Sequence, residues 1–422
     1  MSVAGNGVRR YQLALGLLFV AVSAAYLLVV CHFGLETEAM RTYFPYADEL
    51  VRGIVPETEY PPLALLFIAA PRLVADTPSL YNAVFVAEVC VFFMVGLAAM
   101  GKLAKRYNQS QRSALLMFTA LMLLMIEFSV SRYDMFPAVL TLLSFYCMAT
   151  KRYALAFALL AMATMTKVYP AVLFPIYLVP FLMNRDWQNA AKGTWVFFAA
   201  MLLIALPFVF LAPDASFHFV EYQLGRPLHT ESVAGSFVQL ASAMGLTDVS
   251  ALPGYGSEYL AGPWPDAVAT CLIPAVLAAL AVIYAIYAYL LSRMRRDRLD
   301  NENDRMILLS GTVLLSLLTF ILLGKALSPQ YIIWAIPFVI FMLMTSIGHV
   351  PKMRIVVLSV AAIALTQAGF ALDLVFGTPA ADAVALVVLA RNAVVIALFA
   401  YVLWTCKASI GRRRLRTQPP DA

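Results

Sequence analysis

Apolar residues in this chain run in long blocks, near residues 12–31, 80–101, 113–130, 134–150, 154–166, 168–183, 193–212, 265–291, 306–323, 328–347, 353–371 and 383–406. A helix needs about 20 apolar residues to cross a hydrocarbon core about 30 Å thick, and lipid leaves the backbone no partners but its own. The pattern predicts an all-α polytopic membrane protein of about twelve helices, two of them short. Those two, 154–166 and 168–183, flank Lys167 and Pro170 and read either as one kinked helix or as a hairpin.

Flanking charges choose the hairpin. Lys151 and Arg152 precede the pair while Arg185 and Lys192 follow it, so the excess of basic residues in cytoplasmic loops puts both ends on one side and requires an even number of crossings. The same parity gathers Arg9/Arg10, Lys102/Lys105/Arg106/Arg112, Arg293 to Arg305, Lys352/Arg354 and the tail from Lys407 in the cytoplasm, with both termini. The whole of 1–422 then reads as a single membrane domain with a basic cytoplasmic tail, 407–422. Its outer loops, 33–79 and 213–265, form the extracytoplasmic working face.

Composition agrees. The 422 residues are 62% hydrophobic and 13% charged, and mean hydropathy is +0.82, outside the range of soluble domains. A net charge of +6 would point a soluble protein toward nucleic acid, but here the basic residues orient helices, so no nucleic-acid partner is expected. Five cysteines, Cys31, Cys90, Cys147, Cys271 and Cys406, lie in or beside apolar spans without metal-ligand spacing. The first span, 12–31, exceeds a cleaved signal core of about 7–15 residues and reads as a retained anchor.

Polar residues that break apolar sequence are the candidates for chemistry. Glu36 and Glu38 follow the first span at the membrane rim, where partial desolvation raises a carboxylate toward a general base; Asp48, Glu49 and Glu57 read as a solvated loop. In "EYPPLALLFIAAP" (59–71) the two prolines delay the helix start, and the run to Ala75 is too short to span. It reads either as a helix along the interface that holds Glu59 and Tyr60 toward a lipid headgroup, or as an elbow between spans. Arg132 and Asp134 of "SRYD" pair with each other in the plainest reading. Lys167 is an ammonium inside the membrane envelope that requires an anion: a phosphate, Asp134 or Glu38. Arg226, His229 and Glu231 of "GRPLHTES" offer a cationic pair for phosphate and a carboxylate for a sugar hydroxyl, or a solvated loop without a core. Lys325, Gln330 and Tyr331 end another span, and Arg391 is a second intramembrane cation needing an anion. No phosphate-binding glycine loop, dinucleotide fingerprint, zinc-protease or serine-hydrolase motif accompanies them.

Taken in order, "TYFPYADELVRGIVPETEYPPLAL", "RYDMFPA", "KVYPAVLFP", "GRPLHTES" and "SPQYIIWAIP" resemble the polyprenol-phosphate-mannose-dependent mannosyltransferases of glycosyltransferase family 87, integral-membrane enzymes of the GT-C class. The resemblance covers nearly the whole chain. It implies a GT-C-like extracytoplasmic cavity in a multi-pass cell-membrane protein of the bacterial plasma membrane. It also implies transfer of a hexose, mannose in the family, from a polyprenyl-phosphate donor to a lipid or glycan acceptor. A carboxylate of the first outer loop would be the base in an inverting displacement. Relatives carry Asp four residues before the tyrosine that is Tyr43 here, whereas this chain has Ala39, so the role passes to Glu38 and then Glu36. Glu59, Tyr60, Arg132, Asp134, Lys167, Tyr169, Arg226, His229, Glu231, Lys325, Gln330 and Tyr331 become donor-binding candidates. No cofactor or metal ligand is required, and the loop acids leave room for a divalent metal. The competing reading is a transporter or flippase of an amphipathic substrate, with its binding site in the interrupted helices 154–183.

Overall fold

The structure, a computed structural model, describes residues 3–296, 302–345, 352–377, 379 and 381–417. Residues 297–301 of the expected basic cluster, 346–347 of the tenth apolar stretch and 418–422 of the tail lie outside these. Two compact units result, Met1–Gly225 and Arg226–Ala422.

The first unit begins with α1 (Val3–Phe33), a π-helical turn over Ala39–Tyr43 and α2 (Phe44–Val51). Pro61 is extended and Pro62 opens α3 (Pro62–Ala69), which tightens into a 3₁₀ turn over Ala70–Leu73. Then come α4 (Pro78–Arg106), α5 (Gln111–Leu124), α6 (Ile126–Val130), α7 (Met135–Ala149), α8 (Tyr153–Thr166), a 3₁₀ turn over Tyr169–Val172, α9 (Leu173–Asn184), α10 (Trp187–Leu211) and α11 (Pro213–Gly225). Caps explain several boundaries. Thr77, Ser110 and Asp186 accept backbone N–H bonds at the starts of α4, α5 and α10, and Arg185 in the left-handed region ends α9.

α4 forms the centre, with α1, α5 and α7 packed around it. Phe19 of α1 stacks on Phe93 at 3.8 Å and Phe93 on Phe118 at 5.5 Å. α8 lies between α7 and α10; Gly193 approaches the Phe157 ring so closely that a Cβ would overlap it. Lys167 turns extended and stops α8. The rings of Tyr153 and Phe181, at opposite ends of the 153–184 stretch, then meet at 4.7 Å, so α8 and α9 fold back on each other as the hairpin that the flanking charges required.

α3, expected either as a helix along the interface or as an elbow between spans, packs one face into the first unit. Leu63, Ala64, Leu65 and Ile68 are buried against α2, α8 and α10. One face of the short apolar run is core, while Leu66, Leu73 and Val74 stay exposed.

The second unit contains β1 (Leu228–His229), α12 (Val233–Ala243), β2 (Ser250–Gly254), β3 (Ser257–Ala261), α13 (Pro263–Arg296), α14 (Glu302–Leu323), a 3₁₀ turn over Pro329–Tyr331, α15 (Ile332–Thr345), α16 (Lys352–Phe376) and α17 (Ala381–Thr417). α14 and α15 are buried on almost every face. The strands form an antiparallel sheet in the order β1-β3-β2, closed by a two-residue turn in which Tyr255 and Gly256 have positive φ, the geometry that matches strand twist. Leu228, Val238, Leu260, Ala269 and Leu272 make a small core beneath it. Two expectations are corrected here: the fold is not purely α, and the loop 213–265 has a core. Strands of two and five residues leave too short a hydropathy signature to read beside twenty-residue spans.

By length and composition seven helices of the described residues suit a bilayer: Asn6–Phe33, Pro78–Arg106, Trp187–Leu211, Pro263–Arg296, Glu302–Leu323, Lys352–Phe376 and Ala381–Lys407. The other apolar stretches form shorter helices.

Candidate active site

Three chain corners meet at one end of the first unit: the segment after α1, the corner between α6 and α7, and the tip of the α8/α9 hairpin. The basic ends of α4, α7 and α9 lie a helix length away, about 40 Å in the case of α4.

At these corners two ion pairs form between segments that the sequence leaves far apart. Arg132 donates to Glu38 at 3.0 Å, with Arg41 at the outer limit, 4.0 Å, from the same carboxylate. Lys167 Nζ lies 2.6 Å from Asp134 Oδ1 and 4.6 Å from the centre of the Tyr133 ring. Arg132 and Asp134 therefore do not pair with each other, as the plain reading had them. Two residues apart on a tight corner, they are aimed at different neighbours. The anion that Lys167 required is Asp134, which is fully buried.

Aromatic rings wall the pairs. Tyr43 closes the π-helical turn, and its hydroxyl accepts from the Tyr133 N–H at 3.5 Å. Its ring meets Tyr60 at 5.8 Å and Tyr133 at 5.9 Å, and Tyr60 meets Tyr133 at 4.8 Å. Burial pushes the Tyr43 and Tyr60 phenols well above their usual range, so both stay neutral. The turn is anchored from below: buried Thr37 donates to Asn82 of α4 at 3.0 Å, and Ala39, where the family resemblance calls for Asp, is sealed in the interior. A side chain at 39 points into packing, while 38 faces Arg132.

Other expected residues sit at various distances from this cluster. Glu59 is one step out, where it accepts from the Tyr46 hydroxyl at 3.5 Å. Tyr169 is buried in the turn after Lys167. Glu36 is exposed and takes part in no ion pair among the described residues. Tyr43, Tyr133, Thr37 and Asn82 are the members that sequence reasoning missed. Two were inside quoted motifs, and Asn82 was a polar residue within an apolar stretch, which was a usable signal.

The second unit holds its own polar cluster. Arg226 donates to the Tyr259 hydroxyl, and burial pushes that phenol up to about 12. His229 Nδ1 accepts from the Glu231 N–H at 3.2 Å, which leaves Nε2 protonated and donating to Ser257 Oγ. Burial, with the Arg226 and Arg391 charges behind it, holds His229 down to about 3. His229 therefore enters any binding as a neutral ring and does not make a cationic pair with Arg226. Glu231 supplies the anion for Arg391: Arg391 Nη1 reaches its Oε2 at 2.7 Å, Nη2 its backbone oxygen at 2.7 Å. Asn392 adds bonds to the Glu231 and Ser232 carbonyls and to Ser236 Oγ. The Lys325 carbonyl accepts from the His229 N–H at 2.9 Å, and burial pulls the Lys325 ammonium down. Gln330 is buried, its Oε1 accepting no hydrogen bond among the described residues. Tyr331 stacks on Trp334 at 4.0 Å. Among the described residues no three His, Cys, Asp or Glu side chains converge as a metal site.

Chemically, the first cluster offers a carboxylate at an accessible edge, a guanidinium suited to a phosphate, and neutral phenols as hydroxyl donors. No curated protein matches the chain. Among solved structures it is similar to the crystal structure of ArnT from Cupriavidus metallidurans in the apo state, at 14% identity over 93% of this chain and 77% of that one, with a TM-score of 0.44. The family model of glycosyltransferase family 87 matches residues 58–320, more than half of the chain, a span that includes Arg132, Asp134 and Lys167 and begins after Glu38. The protein belongs to glycosyltransferase family 87.

Proposed function

We propose that this membrane glycosyltransferase moves a hexose, mannose by family resemblance, from a polyprenyl-phosphate donor to a lipid or polysaccharide acceptor at the extracytoplasmic face of the cell membrane, in a GT-C-like cavity. Glu38 is the base and Glu36 a bystander. The observation that carries this reading is the Glu38–Arg132 pair, at 16% and 25% side-chain exposure: a carboxylate both shielded and reachable, held beside a cation.

The displacement is balanced without an added cofactor. The acceptor O–H gives its proton to Glu38, its oxygen bonds to the anomeric carbon, and the C–O bond to phosphate breaks with its electron pair leaving on the phosphate. Direct attack inverts the anomeric centre. A phosphate already on its lipid is a sufficient leaving group once a cation faces it, and Arg132 is the cation assigned to it in this reading. A divalent metal has no assigned step.

Interruption of the hairpin at Lys167 is the feature a transporter would use, and it keeps translocation as the second reading. One experiment separates the two. Purified protein in nanodiscs receives radiolabelled polyprenyl-phosphate mannose and a panel of lipid acceptors, with and without chelator. Labelled, anomerically inverted product supports the transferase, and an unchanged rate with chelator supports the metal-free reaction. Movement of donor across proteoliposomes with no transfer to any acceptor supports the transporter.

A further inference from the structure

The two ion pairs of the first cluster differ in a way that bears on how the base is switched on. Asp134 has no exposure and Lys167 sits 2.6 Å from it, so exchange there would strand a buried charge. Glu38 and Arg132 are 3.0 Å apart, and both keep side-chain surface in contact with the exterior. While Arg132 donates to it, a Glu38 oxygen is held in an ion pair and is not free to take the acceptor proton.

A phosphodiester anion is a better planar match for a guanidinium than a single carboxylate oxygen. We propose that the donor phosphate takes Arg132 from Glu38, so that donor binding itself turns the carboxylate from an ion-pair partner into a base. This rests on the transferase reading and names the regulation of the same site. The charges agree in sign. Glu38 is faced by Arg132 from the α6/α7 corner, Arg41 from its own turn at 4.0 Å, and the neutral phenols Tyr43, Tyr46 and Tyr60, on which the carboxylates of Asp134 and Glu59 also act. With Arg132 engaged by phosphate and a new anion beside it, Glu38 loses its main stabilising cation and gains a repelling charge, and both effects raise its proton affinity. The base is then armed only when a leaving group is in place.

The test reads protonation of Glu38 directly. Dicyclohexylcarbodiimide adds across the protonated carboxyl, whose proton passes to nitrogen, and mass spectrometry reports the adduct. Glu36, nearby in the chain and exposed, is the internal reference. In nanodiscs the pH midpoint for labelling Glu38 should rise by about one unit or more with farnesyl phosphate and stay put with farnesol. Arg132→Gln should show the raised midpoint without ligand and no further change, while Arg132→Lys, which keeps the charge, should still respond. A Glu38 midpoint equal with and without farnesyl phosphate, or equal in wild type and Arg132→Gln, overturns the exchange. A midpoint that responds in a protein that transfers no hexose upholds the exchange and removes the transferase reading.

Discussion

Asp134 and Lys167 illustrate what a single buried charge demands. Lys167→Met leaves the Asp134 carboxylate at zero exposure without its cation, a change that costs about 3–5 kcal/mol in buried pairs. Thermal unfolding in detergent should show a large drop for Lys167→Met and a clear recovery when Asp134→Leu is added, and additive losses would contradict the pairing. His229 gives a pH prediction. Its ordinary value is 6.5 and burial holds it near 3, so between these the unfolded chain binds a proton that the folded chain refuses. Stability from this group is therefore lost as pH falls below about 6.5. The unfolding temperature should fall less between pH 7 and 4.5 in His229→Asn than in wild type. The sequence made it legible that Lys167 and Arg391 each need an anion, since charge inside lipid requires one. Which anion was hidden, because 33 residues separate Lys167 from Asp134 and 160 separate Arg391 from Glu231, and only the fold closes those distances.

Elements were legible where hydropathy was long and illegible where it was short. Charges at 151–152 and 185 were enough to derive the α8/α9 hairpin, a topological argument that needs no contacts. The sheet β1–β3 and the small core beneath α12 had no comparable signal, and α3 stayed open between an interfacial helix and an elbow because thirteen apolar residues say nothing of what covers them. Gly193 is the sharpest test of element packing. It lets α10 approach the Phe157 ring of α8, so Gly193→Leu should force the two helices apart and cost about 1–3 kcal/mol, read as a fall in unfolding temperature. Gly193→Leu with unchanged stability would place α10 elsewhere. The π-helical turn at Ala39–Tyr43 sets the register of the first outer loop. The wider turn buries position 39 and leaves 38 facing Arg132, a register that hydropathy does not encode.

At the scale of the whole molecule, the acids and interrupting cations collect at one set of helix ends and the basic clusters at the other within the first unit. Reporter fusions test the orientation inferred from sequence. An alkaline phosphatase fusion after Glu57 should be active, and one after Gln109 inactive; the reverse pattern would move the cluster to the cytoplasm and remove the polyprenyl-donor chemistry with it. Family membership makes the protein a glycosyltransferase, and the account stands or falls on which side chain takes the acceptor proton. The direct measurement is the rate of mannose transfer from polyprenyl-phosphate mannose by wild type, Glu38→Gln and Glu36→Gln, with donor affinity measured on each. The account predicts that Glu38→Gln loses at least about 100-fold in rate, the usual contribution of a positioned base, while still binding donor, and that Glu36→Gln stays within a few-fold of wild type. Full activity in Glu38→Gln, or its loss in Glu36→Gln alone, would contradict it.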